Sequence, residues 1–146
     1  MLLNTLIAAL LMVVTCGVHA SGMHLVMNGV RRYQQNQTKN PLRRTNMYRI
    51  GGTVLLMFLV SLVEVMIWAS TYLALNAIEG FERALYFSMV TFTTLGYGEI
   101  VLDEHWRLLA SFQAANGIIM FGWTTAIVIA VVQHVYFAGY EKPRPD

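Results

Sequence analysis

Residues 93–99, Thr-Thr-Leu-Gly-Tyr-Gly-Glu, are the part of the chain whose residue types and spacing could do chemistry. Gly96 and Gly98 occupy alternate positions, and glycine adopts the positive φ angles that branched or bulky residues resist. A backbone that alternates handedness in this way can turn successive carbonyl oxygens to one side. Several such strands around an axis would form rings of carbonyls able to replace the water around a dehydrated cation. Thr94 would add a ring of hydroxyls.

Long apolar segments flank this stretch, and their composition is that of a membrane protein. Hydrophobic residues make up 56% of the chain and charged residues only 12%, whereas soluble domains carry about 25% charged residues. Three segments, about 2–30, 50–77 and 108–137, are long enough to cross a bilayer, which takes roughly 20 apolar residues. The sequence therefore predicts an all-α integral membrane protein with three transmembrane helices.

Residues 79–94 form a fourth, shorter apolar run that is compatible with a helix. It is too short to span the bilayer at 1.5 Å per residue, and exposed irregular backbone is not tolerated in lipid. We therefore predict a re-entrant helix followed by a loop. Glu79 and Glu82 would lie in its first turn, where the helix dipole favours negative charge.

The charged residues predict the orientation of the chain. Residues 31–49 carry six Lys or Arg and no acid, and cytoplasmic loops carry an excess of such cations. We therefore expect a basic cytoplasmic loop at 31–49, a short cytoplasmic tail at 138–146, and an N-terminus on the outer side. The external region, about residues 78–106, contains five acids. A multi-pass protein of the plasma or inner membrane, surrounded by lipids, is predicted.

The first apolar segment also has features of a secretory signal peptide, because its apolar core ends in a small-residue V-x-A pattern at Ala20. Two observations favour a retained helix at residues 1–30. The segment has no positively charged n-region, and its removal would leave the six-cation loop outside and invert the topology of everything that follows. We predict an extra N-terminal transmembrane helix, with the signal peptide as the alternative.

The motif Thr94-Leu95-Gly96-Tyr97-Gly98 resembles the T-V-G-Y-G selectivity filter of potassium channels, with leucine in place of valine. Glu99 stands where that family usually has aspartate. Residues 106–126 resemble the inner helix of prokaryotic two-helix potassium channels. The residues at matching intervals are Arg107, Gly117, Phe121, Gly122, Thr125 and Ala126. The resemblance covers residues 50–137, which would be a potassium-channel pore domain.

This resemblance implies a function and a partner. K+ would be held at Thr94, Leu95, Gly96 and Tyr97, with Gly98 completing the filter. The family builds its filter from four strands, and one copy per chain implies a homotetramer. K+ would pass down its own gradient as the permeant ion, and the external acids would concentrate cations at the mouth.

Residues around the filter are assigned supporting roles. Thr93, Glu99 and Tyr86 are predicted to support the filter strand. Tyr97 is expected to point away from the axis and to pack near aromatic side chains such as Tyr86 and Phe87.

The third span is predicted to carry the cavity and the gate. Gly117 resembles the hinge glycine of the family, with close helix packing as the alternative reading, and Gly122 is a second hinge candidate. Ile118, Phe121 and Thr125 share one helix face, which by resemblance lines the cavity; packing is the alternative for them too. His134 lies near the cytoplasmic end, where a gate would converge.

Four of the polar residues within the spans are candidates for a structural or functional role. Glu64 is near the middle of the second span, where an ionisable group costs about 2.5–3.5 kcal/mol and is a functional hypothesis by default. By helical rise it lies about 21 Å above the inner end and His19 about 18 Å, so the two could meet. Glu64 is either a protonated, hydrogen-bonded carboxyl or part of a pH-sensing pair with His19. Gln113 and Asn116 are expected to bond the back of the re-entrant helix, or Asn116 to tune the cavity field.

Other classes of function find little support. The chain has no nucleophile motif, phosphate loop or basic-aromatic pattern, so we predict neither an enzyme nor a nucleic-acid partner, and no cofactor besides permeant K+. The single cysteine, Cys16, excludes an intrachain disulfide and is expected to be an inert packed thiol. Two alternatives to a potassium-selective channel remain. One is a weakly selective cation channel, and the other is a non-conducting membrane subunit or sensor that uses the pore fold for assembly.

Overall fold

A computed structural model describes residues 2–36 and 43–137, which form four α-helices. They are α1 (Leu2–Asn36), α2 (Arg43–Ala74), α3 (Phe81–Phe92) and α4 (Arg107–Phe137). Three of them contain segments long and apolar enough to cross a membrane: Leu2–Arg32, Met47–Ala74 and Arg107–His134. The short α3 has 12 residues, or about 18 Å of helix. The predicted all-α membrane class with three spans and a short fourth helix is confirmed.

The ends of the predicted basic loop are helical. Because α1 continues to Asn36 and α2 begins at Arg43, Arg31, Arg32 and Arg49 are helical residues instead of loop residues. The predicted tail at 138–146 lies outside the described residues.

The second span ends three residues earlier than predicted, at Ala74 and not at Ala77. Asn76 has a positive φ of 51°. Its N–H donates to the Leu73 carbonyl at 3.0 Å, and the Ala77 N–H donates to the Tyr72 carbonyl at 2.9 Å. These two bonds form a Schellman motif, in which a left-handed residue closes the last helical turn. Asparagine tolerates that conformation, so the helix ends there.

One face of α1 packs against α2 and α4 from Asn4 to Val30. Its buried residues recur every three or four positions, which places them on a single stripe of the helix. They are Asn4, Ala8, Leu11, Thr15, His19, Gly22, Val26 and Val30. α1 and α2 approach each other closely at Gly22, where a Cβ atom would lie 2.6 Å from Val60 Cγ2 of α2.

Apolar clusters hold the four helices together. At the end near α3, Trp68, Tyr72, Phe87 and Leu109 pack with residues of α1. At the other end, α1, α2 and α4 share a cluster that includes Met57 and Ile127. Both clusters combine α1 with the helices of the predicted pore domain, so α1 is part of the same packed unit.

Candidate functional site

The loop that follows α3 is seated by the end of that helix. α3 begins after Gly80, with Glu82 in its first turn, so Glu79 precedes the helix and the prediction that it lies in the first turn is wrong. At the other end, the N–H of Thr94 donates to the Thr91 carbonyl and that of Leu95 to the Val90 carbonyl, both at 2.9 Å. These bonds again form a Schellman motif, and they fix the direction in which the loop leaves α3.

In the TLGYG loop, residues 94–98, every second residue has a left-handed backbone conformation. Positive φ angles occur at Thr94 (60°), Gly96 (57°) and Gly98 (81°), and not at Leu95 or Tyr97. The two glycine angles agree with the prediction from the sequence. Thr94 is the unexpected member, because a β-branched residue in this region costs about 1–2 kcal/mol. The Schellman bonds around it oppose that cost.

The backbone carbonyls of the TLGYG loop have no hydrogen-bond donor among the described residues. Residues 93–99 are all exposed in the single chain, and the Leu95 and Tyr97 side chains are 54% and 64% exposed. Unpaired backbone carbonyls are costly at membrane depth unless another group binds them. The arrangement can therefore supply a row of carbonyl ligands to a cation.

A hydrogen bond between α3 and the residue after the TLGYG loop fixes the outer end of this loop. The Tyr86 hydroxyl donates to Glu99 Oε2 at 2.7 Å, and this bond to a carboxylate raises the pKa of Tyr86. Tyr86, Phe87 and Tyr97 line one cavity of about 30 Å³ between α3 and the loop. Tyr97 therefore lies near Tyr86 and Phe87, as predicted. The Thr93 hydroxyl instead donates to the Met89 carbonyl of its own helix, at 2.9 Å.

Behind α3, a buried polar network joins three helices. Gln113 Nε2 donates to Ser88 Oγ at 2.7 Å, and the Ser88 hydroxyl donates to the Val65 carbonyl at 2.8 Å. The Tyr72 hydroxyl donates to Gln113 Oε1 at 2.8 Å. Gln113 thus bonds the back of α3 as predicted. Sequence reasoning missed Ser88 and Tyr72, whose residue types are ordinary in a span.

Gly117 lies directly against the end of α3. A Cβ atom at this position would be 1.9 Å from the Phe92 carbonyl oxygen, so only glycine permits this approach. Close packing is therefore one role of Gly117. Beside it, the rings of Phe92 and Phe121 meet edge to face, with centroids 5.5 Å apart.

The predicted cavity face of α4 is largely exposed in the single chain, although Phe121 also contacts Phe92. Ile118 is 62% and Phe121 is 41% exposed, and Gly122 and Thr125 are exposed beside them. The opposite face, which contains Gln113, Asn116, Met120, Ile127 and Val131, is buried against the other helices. His134 lies half-buried near the end of α4.

His19 and Glu64 meet in the interior. His19 Nδ1 lies 2.9 Å from Glu64 Oε1, and both side chains are fully buried. His19 Nε2 lies 3.2 Å from Thr124 Oγ1 on α4, and its ring packs on Trp123 with centroids 5.1 Å apart. The other Glu64 oxygen has no hydrogen-bond partner among the described residues. The pair therefore connects α1, α2 and α4.

Thr124 could not be identified from the sequence. Hydroxyls in membrane helices usually bond the carbonyl four residues earlier, as Thr125 does to Phe121 at 2.8 Å. Asn116 differs from both expectations, because it is buried and its Nδ2 donates to Thr15 Oγ1 on α1 at 3.1 Å. It therefore does not face the predicted cavity or bond α3. A third polar contact joins Asn4 Nδ2 to the His105 carbonyl.

Within residues 2–36 and 43–137, no group of three or more His, Cys, Asp or Glu side chains is placed to hold a metal ion. Cys16 is a half-buried free thiol beside the cluster of Val65, Phe92 and Met120.

A family model described as an ion channel matches residues 47–134. The match includes the whole transmembrane part of α2, together with α3, the TLGYG loop and α4 up to His134, and it leaves α1 outside. No curated protein and no solved structure matches the chain.

Replacing Gly117 with alanine should destabilise the fold by about 1–3 kcal/mol, because the new methyl group must displace the end of α3. Gly122→Ala is the matched control, since nothing lies within 4 Å of its Cβ position in the chain. Thermal unfolding of the purified protein in detergent measures both. Equal losses of stability in the two variants would contradict the close packing of Gly117 on α3.

Proposed function

We propose that this chain, which belongs to the ion channel family, is a potassium-selective channel that conducts K+ passively across the membrane. The observation that carries the proposal is the TLGYG loop, which has alternating φ angles and backbone carbonyls with no hydrogen-bond donor among the described residues. Rings of such carbonyls replace the hydration shell of K+ in channels that have this filter motif. Leu95 changes only a side chain and leaves the carbonyl chemistry intact.

The working unit is a homotetramer. One chain contributes one strand to the filter, and residues 93–99 are exposed on it, so the ring of ligands is incomplete without further copies. The exposed face of α4 around Ile118, Phe121 and Thr125 supports the same assembly, because these side chains would line the cavity below the filter. Closed symmetric rings are the usual arrangement for chains with a single repeat.

Opening would occur by bending of α4, with Gly122 as the hinge and His134 near the gate. Gly117 has the Phe92 carbonyl against it, so a bend there would have to move the end of α3 and disturb the filter. Gly122 has free space around it. A bend at Gly122 would leave α3 and the TLGYG loop in place.

The orientation follows from the charges. The basic ends of α1 and α2, with Arg31, Arg32 and Arg49, would lie on the cytoplasmic side of the plasma or inner membrane. The N-terminus and the TLGYG loop would then lie on the outer side. The buried contacts of α1 with α2 and α4 support its retention as a transmembrane helix.

In a planar bilayer with K+ on one side and Na+ on the other, the current should reverse far toward the potassium equilibrium potential. Gly96→Ala should abolish this selective current, because alanine resists the φ of 57° at that position. The control is Gly51→Ala, because Gly51 lies in a helix and nothing lies within 4 Å of its Cβ position. Reversal near zero would indicate a weakly selective cation channel. No current at any voltage, at pH 5 as well as at pH 8, would favour a non-conducting subunit.

The pair of His19 and Glu64 would make opening sensitive to pH. A proton added to this pair leaves a net charge in a fully buried site, which costs several kcal/mol. Separation of α1 from α4 would reduce that energetic cost. It would also break the contact between His19 and Thr124, which lies on the helix proposed to bend. Trp123 and Thr124 of α4 both contact His19 of the pair. Cys16, three residues before His19 on α1, is also a titratable side chain.

Open probability should therefore rise as the pH falls from 8 to 5, and Glu64→Gln and His19→Gln should each flatten this dependence. The matched control is His24→Gln, because His24 is on the same helix but exposed. Single-channel recording at symmetric pH measures the effect. An unchanged pH profile in Glu64→Gln would dismiss the pair as the sensor and leave it a structural contact.

A further inference from the structure

The exposed side of α1 changes in chemistry halfway along the helix. Its N-terminal half presents large apolar side chains, including Leu6, Leu10 and Val13. Further along, the same side carries four small or polar residues at spacings of three or four, which we call the polar strip: Gly17, Ser21, His24 and Asn28. The strip lies opposite the buried stripe of α1. A side of the helix that only faced lipid would be expected to stay apolar throughout.

The polar strip exposes hydrogen-bonding groups inside an apolar span. Ser21 and His24 are exposed and Asn28 is half-buried, although all three lie within the apolar segment Leu2–Arg32. The Ser21 hydroxyl donates to the Gly17 carbonyl at 2.8 Å, and its oxygen can still accept a hydrogen bond. The side chains of His24 and Asn28 have no hydrogen bond to another described residue. Polar groups without partners are costly in lipid, so the strip is suited to contact with protein.

α2 exposes no polar side chain at the level of the C-terminal part of the strip. Gly22 of α1 meets Val60 of α2, and Val30 meets Arg49, so this part of the strip lies between the two contacts. The exposed residues of α2 in the same interval are Gly51, Gly52, Val54, Leu55, Phe58 and Leu59. The α2 helix of another copy would therefore leave the imidazole and the amide of the strip unpaired.

The exposed polar side chains of α4 at this level lie on a different surface. His19 contacts Thr124, and the exposed polar residues of α4 beyond that contact, within the described part of the chain, are Thr125 and Gln133. Gln133 follows Gly122 by eleven residues, which is about three turns of helix, so it shares the proposed cavity face with Thr125. Among the described residues at this level, the polar side chains accessible from the lipid are thus those of the strip itself.

We propose that the polar strip pairs with the polar strip of a second copy of this chain, with the two α1 helices parallel and side by side. Hydroxyl, imidazole and amide groups can each donate and accept hydrogen bonds, so one strip is complementary to another. A two-fold axis between the helices needs only this one patch. Nothing lies within 4 Å of the Cβ position of Gly17, and small residues such as Gly17 and Ser21 let membrane helices approach closely.

The pair would join two channels, and this part of the inference rests on the proposed function. In a four-fold ring, equivalent residues of neighbouring chains come close together only near the axis. The TLGYG loops and the exposed face of α4 occupy that place in the proposed tetramer. α1 packs on α2 and α4 by its other face, so the polar strip points away from the packed unit. Contacts between strips would therefore connect neighbouring rings, and the channels would cluster in the membrane.

Disulfide cross-linking of the full-length protein in phosphatidylcholine liposomes tests the pairing. Cys16→Ser removes the single native thiol, and Ser21→Cys then places one thiol on the strip. A disulfide needs two Cα atoms within about 7 Å of each other, so oxidation with copper phenanthroline should link most chains into pairs. The matched control is Leu25→Cys, because Leu25 is also exposed but lies about 100° around the helix from His24. Few chains should be linked there.

Two further variants test the contact itself in the Ser21→Cys protein. Gly17→Leu would hold the helices apart, and His24→Leu would replace the imidazole by a side chain that suits lipid. Each should weaken the pairing about tenfold. Ala9→Leu is their control, since Ala9 is exposed on α1 outside the strip, and it should change nothing. Absence of links in Ser21→Cys, or equal linking in Leu25→Cys, would overturn the proposal.

Light scattering after extraction in detergent distinguishes links between rings from links within one ring. Oxidation of the Ser21→Cys protein should at least double the mass of the particle, whereas an unchanged mass would overturn the pairing of channels. The readout does not depend on conduction. A K+ current without links would contradict this inference alone, and linked chains without a K+ current would contradict the proposed function alone.

Discussion

The unpaired carbonyls of the TLGYG loop are the constraint on which the rest of the structure depends. A backbone at membrane depth needs a partner for every polar group. Among the described residues, the carbonyls of this loop lack the hydrogen bonds that they would accept within a helix. Its conformation must therefore be held by its surroundings. The Schellman bonds at Thr94 fix one end, and the hydrogen bond from Tyr86 to Glu99 fixes the other. Gly117 allows α4 to lie directly under the carboxyl end of α3.

The extra helix is joined to this unit by polar contacts as well as by apolar ones. Asn4, Thr15 and His19 lie on its buried face at three levels, and they bond the His105 carbonyl, Asn116 and the Glu64–Thr124 group respectively. Buried polar groups are costly when unpaired, so these contacts fix the register of α1 against α4. A change at His19 can thereby act on α4 at Thr124, in the part of the helix proposed to bend.

The sequence was sufficient where the physics is local or periodic. Runs of apolar residues predicted the three spans, alternate glycines predicted the positive φ angles at Gly96 and Gly98, and helical rise placed His19 level with Glu64. The sequence was insufficient where contacts between or around the helices determine the local structure. The positive φ of Thr94 opposes the preference of threonine and depends on the Schellman bonds around it. The end of α2 depends on Asn76, and the Thr124 contact depends on how α1 packs against α4.

Single-particle cryo-electron microscopy of the protein in lipid nanodiscs with K+ is the most direct test of the central claim. A homotetrameric channel should appear as a particle with four-fold symmetry, in which four TLGYG loops surround the axis with their carbonyls inward. Ion density should lie on the axis at the level of Thr94 to Tyr97. A particle without a four-fold axis, or loops whose carbonyls point away from the axis in the presence of K+, would contradict it.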